Sequence, residues 1–148
     1  MKDILAQLVK NKIFMTTLSA WLIAQAIKVG MGVIRQRRFD FRWFVGTGGM
    51  PSAHAAGASC LAAAVGLESG FDSVYFALAA SFAIVVMFDA QGVRRATGKQ
   101  ARILNKVMDD IYWQAKIKED QLRELIGHTP IEVIAGFLLG IIIALVAH

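Results

Sequence analysis

Gly49-Met50-Pro51-Ser52-Ala53-His54 puts a turn, a hydroxyl and an imidazole where a polar loop gives way to an apolar segment. Proline suits the first turn of a helix, and Ser52 can cap the backbone amides there. A helix start with outward N–H groups attracts anions. A histidine beside such a site can move a proton to or from a phosphate ester. The segment that follows runs from about His54 to Leu67 and is built of small residues, among them Ala56, Gly57, Ala58, Ala62, Ala63 and Ala64. Small side chains let helices approach closely in a bilayer. This spacing predicts the interior helix of a bundle, and the rest of the chain supplies its walls.

The composition agrees with a membrane setting. Of 148 residues, 56% are hydrophobic and 18% charged, so the charges must be segregated from the apolar runs. A mean hydropathy of +0.52 is too apolar for an ordinary soluble domain of this size. One domain of about 148 residues is expected, without a removable signal peptide. The single cysteine, Cys60, allows no internal disulfide and no cysteine-based metal site. The net charge of +5 does not argue for nucleic acid, because most basic residues flank apolar segments, where they set orientation.

Outward from the central segment, residues 1–11 read as a short interfacial helix with Ile4, Leu5 and Leu8 on one side. Residues 13–34 form a first span of the length a bilayer requires, interrupted by Lys28. A lysine at that depth either snorkels to the headgroups or serves a site. Residues 35–42 make a basic and aromatic loop suited to anionic headgroups, followed by Trp43 and Phe44 as an interfacial belt. A third segment spans about 73–88 and ends in Asp89-Ala-Gln-Gly-Val-Arg94-Arg95. Over 99–126, Leu104, Val107, Met108, Ile111, Ala115, Leu122 and Leu125 recur at helical spacing with charges between them. That arm suits a membrane surface, a cover over the site, or pairing with a second copy in a homodimer. The last span opens at Gly127-His-Thr-Pro130 and carries Gly136 and Gly140, a close-packing face expected to meet another helix of the same chain.

The fold class is therefore an all-α, polytopic membrane bundle of about four transmembrane helices with an amphipathic helical arm. Four spans put both termini on one side. The other side then holds twelve of the sixteen basic residues, which places that face in the cytoplasm of a multi-pass cell-membrane protein. Four polar clusters meet there. Lys28 and Arg35, seven apart, share a helix face. His54 opens the second segment, and Arg94 and Arg95 close the third. His128 opens the fourth, with Glu132 four residues on and on the same helical face, able to take one ring N–H and leave the other nitrogen nucleophilic. Asp89 can pair with Arg94 or Arg95, or touch a ligand.

Lys28-x6-Arg35, Pro51-Ser-Ala-His54 and His128-Thr-Pro-Ile-Glu-Val-Ile-Ala-Gly136 together resemble the three signature blocks of the type-2 phosphatidic acid phosphatase superfamily, shared with vanadium haloperoxidases. The chain looks like the divergent bacterial and plant branch of that superfamily. The resemblance implies that His128 attacks phosphorus to form a phosphohistidine, that Glu132 orients it in place of the usual Asp, and that His54 protonates the leaving group and then activates water. It further implies that Lys28, Arg35 and Arg94 or Arg95 bind the phosphate oxygens with help from Ser52, and that neither metal nor cofactor is required. The implied substrate is a lipid phosphate or prenyl (di)phosphate. The sequence departs from the pattern in four places: Gln36 follows Arg35 where proline is usual, Ala53 replaces glycine, no serine precedes Arg94 or Arg95, and a long arm separates them from His128. A lipid-phosphate binder without catalysis, and a vanadate-dependent haloperoxidase, are the competing readings of the same pocket.

Overall fold

The computed structural model describes residues 2–37, 49–93, 98, 100–101, 103–107 and 128–148. All regular structure among them is helical. Helix α1 covers Lys2–Lys10, α2 Lys12–Gln36, α3 Ala53–Ser69, α4 Val74–Phe88 and α5 Pro130–Ala147; a π-helical turn, Asp89–Val93, prolongs α4. The membrane bundle expected from the sequence is the observed architecture.

Local chemistry sets the helix starts. Asn11, Ser52, Ser73 and Thr129 are N-caps whose side-chain oxygens accept backbone N–H groups of the first turn. The end of α3 is set by Gly70, in a positive-φ conformation that suits glycine. One detail differs from the sequence reading. Pro51 precedes the capping residue instead of occupying the first helical turn, because Ser52 has the extended backbone of an N-cap and the helix opens at Ala53.

Helix α3 is the axis of the bundle. Ala55, Ala56, Cys60 and Ala64 are wholly buried, and α2, α4 and α5 pack around them. The closest approach is to α5. A Cβ added at Gly140 would lie 2.9 Å from the Cys60 amide nitrogen and would also strike Ser59 Oγ and the Ala56 carbonyl. One added at Gly136 would meet Ala55 Cβ at 3.0 Å and the Ser52 carbonyl. The Gly136/Gly140 face thus packs within the chain, where only glycine admits the neighbouring backbone. Ser59 Oγ ties the seam by donating to the Phe137 carbonyl at 3.0 Å.

The outer surfaces of α2, α4 and α5 carry exposed large apolar residues, including Leu22, Tyr75, Leu78, Val85, Ile142 and Leu145. Such a continuous apolar surface requires lipid around it. Among the described residues, three helices are long and apolar enough to cross a membrane: Lys12–Gln36, the continuous Val74–Gly92, and Pro130–Ala147. Helix α3, with 17 residues, falls short of the roughly 20 a lipid-facing span needs. Walled by its neighbours, it has little lipid to match.

The two ends of the bundle are distinct. Ile13, Ala64 and Ala144 share one cluster, and His148 Nδ1 lies 3.6 Å from Glu68 at the end of α3. The start of α2 and the end of α5 therefore sit together, so both termini lie at one end. Helix α1 leaves Ile4, Leu5 and Leu8 exposed, as an interfacial helix would. The loop carrying Trp43 and Phe44 and most of the 99–126 arm lie outside the described residues. Within that arm, residues 103–107 are helical, with Leu104 and Val107 exposed.

Candidate active site

The candidate residues gather at the end of the bundle remote from the termini. His54 stands in the first turn of α3 and is exposed; His128 precedes α5 and is buried to 2% exposure. Their rings lie edge to face with centroids 6.1 Å apart. They stand 74 positions apart in the chain, and the fold closes that gap. The His128 backbone is held in place by its N–H, which donates to the Ala90 carbonyl at 3.1 Å. That carbonyl belongs to the π-helical turn at the end of α4, so α3, α4 and α5 all meet at this point.

Glu132 is the hub. Its Oε2 lies 3.3 Å from His128 Nδ1 and accepts the Thr129 N–H at 2.9 Å. Its own N–H donates to Thr129 Oγ1, completing a capping box. The contact with His128 was expected from stacking on one helical face, and that reason is corrected. His128 lies outside the helix, with Thr129 as cap, and Glu132 reaches it by folding back over the helix start. The Glu132 carbonyl also accepts the Ser52 N–H at 3.0 Å, so the two signature segments are joined through the backbone.

Lys28, Arg35 and Glu132 line one cleft of about 610 Å³ between the end of α2 and the start of α5. Lys28 and Arg35, expected to share a helix face, both line this hollow. Gly49, at φ +91°, lies over the stem of Lys28, and a Cβ there would be 3.2 Å from Lys28 Cγ and Cδ. Neither histidine lines this cleft; Glu132 joins it to the histidine pair. Ser52 is fully buried, and its Oγ accepts the Ala55 N–H at 3.3 Å. Asp89 opens the π-helical turn. Arg94 and Arg95 lie outside the described residues.

Three further residues belong to the site. Thr129 was readable as the cap of a Thr-x-x-Glu capping box. Gly49 sits next to the quoted motif, but its contact with Lys28 joins two helices. Ala90 acts only through its backbone carbonyl, which no side-chain pattern reveals.

The sequence pattern of the Divergent PAP2 family matches residues 9–143. The chain is also similar to the membrane protein YuiD of Bacillus subtilis (strain 168), 43% identical over 151 aligned residues that cover 95% of this chain and 96% of that one. No solved structure matches the chain. The matched range takes in both the start of α3 and the start of α5, and on it the chain belongs to the Divergent PAP2 family, as an integral membrane protein built on α-helices.

Proposed function

We propose that the chain is a membrane phosphatase that hydrolyses a lipid phosphate or prenyl (di)phosphate at the cytoplasmic face through a phosphohistidine on His128. The observation that carries the reading is the pairing of two imidazoles at 6.1 Å, one of them against a carboxylate at 3.3 Å. Two rings this close can act on one small group from two sides.

Glu132 holds the Nδ1 proton of His128, which leaves Nε2 as the nucleophile. Nε2 bonds to phosphorus while the P–O bond to the lipid alcohol breaks, and His54 gives its proton to the departing oxygen. His54 then takes a proton from water, whose oxygen attacks phosphorus. The N–P bond breaks, inorganic phosphate leaves, and both histidines return to their starting state. Lys28 and Arg35, on the cleft beside the histidines, draw the anion in and face its oxygens from that side, with Arg94 or Arg95 as a further cation. Ser52 contributes by fixing the start of α3 beside Glu132.

The test is phosphate release by the purified protein in detergent, without added metal, from phosphatidic acid, lysophosphatidic acid and a prenyl diphosphate. His128→Ala abolishes release, and His54→Ala lowers it by roughly a hundred- to ten-thousandfold. Equal release by wild type and both variants overturns the reading. The second reading, a lipid-phosphate binder without turnover, draws on one observation: the cleft of Lys28 and Arg35 is lined by neither histidine. Binding of phosphatidic acid by a protein that releases no phosphate decides for it.

A further inference from the structure

A second cavity, of about 310 Å³, lies between α3, α4 and α5 and is lined by apolar side chains and Ser59. Ser59 offers it no donor, because its hydroxyl is engaged by the Phe137 carbonyl. The upper end is marked by Met87, three residues before Ala90, whose carbonyl holds His128. The slot thus begins within one helical turn of the backbone that positions the histidine. Its walls include the small residues Ala62, Ala80 and Ala83 among larger apolar side chains.

The far end is closed by Phe71, which is seated on Gly66. A Cβ at Gly66 would fall 2.6 Å from Phe71 Cδ1 and 3.0 Å from Cζ, so glycine is required for the ring to lie there. Phe76 fixes the ring from the other side, edge to face at 5.0 Å. From His54 to Leu67, at the floor, α3 rises roughly 20 Å. Half the hydrocarbon thickness of a bilayer is roughly 15 Å. A chain running from the histidines to the floor therefore passes the midplane. The volume is near the lower limit of ligand pockets, roughly 300 Å³, so the space favours a narrow ligand.

We infer that the slot between α3, α4 and α5 holds the single long apolar tail of the lipid phosphate whose headgroup reaches the histidines, and that Phe71 on Gly66 sets the longest tail accepted. The inference rests on the proposed phosphatase reading for the headgroup, but retention of a tail can be measured without turnover.

The experiment uses butyl, octyl, dodecyl and hexadecyl phosphate with the full chain in detergent, and reads both phosphate release and retention of hexadecyl phosphate by native mass spectrometry. Ala80→Trp fills the slot. It lowers retention of hexadecyl phosphate, and the ratio of hexadecyl to butyl phosphate turnover, by roughly tenfold or more, since two displaced methylenes already carry that factor. Phe71→Ala removes an exposed ring, so folding is not at stake, and moves the preferred tail to greater length. Unchanged retention and an unchanged length profile in both variants overturn the slot, and occupation by bulk lipid then explains the cavity. A wild type that retains hexadecyl phosphate in this way but hydrolyses none of the series supports the slot and overturns the phosphatase reading instead.

Discussion

Gly140→Ala tests the packing on which everything else at the site depends. The new methyl would meet the Ala56 carbonyl and the Cys60 amide nitrogen of α3, the latter at 2.9 Å, and also Ser59 Oγ. Backbone cannot rotate away as a side chain can, so α5 must move off α3. Overpacking of this kind costs about 1–3 kcal/mol. Loss of the Ser59–Phe137 hydrogen bond adds about 0.6 kcal/mol in a membrane helix pair. Alanine's better helix propensity returns up to about 1 kcal/mol. The net expectation is a destabilisation of about 0.6–3.6 kcal/mol. Gly30→Ala is the internal control: a Cβ there meets nothing within 4 Å, so only the propensity gain remains and stability rises by up to about 1 kcal/mol. Both variants are measured by SDS-driven unfolding in mixed micelles, followed by far-UV circular dichroism. Opposite shifts are expected. Indistinguishable shifts would falsify the close α3–α5 seam. Because Ser52 and Glu132 are bonded across the same seam, Gly140→Ala should also weaken the site from a distance.

Two further substitutions separate structure from chemistry. Glu132→Gln keeps an acceptor for the Thr129 N–H, so the capping box survives and stability moves by less than about 0.5 kcal/mol; on the proposed mechanism phosphate release still falls by roughly a hundredfold, because a neutral amide stabilises the His128 imidazolium poorly. A fall in stability matching the fall in activity would reduce Glu132 to a cap. Ser59→Ala removes the donor to the Phe137 carbonyl and lowers stability by about 0.6–1.7 kcal/mol in the same unfolding assay; no change would mean that the seam is held by glycine contacts alone.

Much of the fold was legible because its causes are local. Small residues over 54–67 predicted an interior helix, and Gly136 with Gly140 predicted a close-packing face. Both hold, since a missing side chain is a property of the sequence that any neighbour must respect. The number of spans was less legible. Length requirements apply to helices that face lipid, and whether α3 faces lipid is a fact about its neighbours. Pro51 and His128 were each read one step too far into a helix, because a cap is decided by the φ and ψ of a single residue, here Ser52 and Thr129.

The sequence alone determined an apolar helical chain, its capped helix starts, and the order of the candidate Lys, Arg, His and Glu residues along it. Those are matters of composition and of spacing within a few residues. Tertiary structure decided that His54 and His128 face each other, that Ala90 offers the carbonyl which holds His128 there, and that Lys28 and Arg35 open onto a cleft that Glu132 links to His128. Each of these depends on how closely α5 settles against α3, and that distance is set by packing between segments some eighty residues apart.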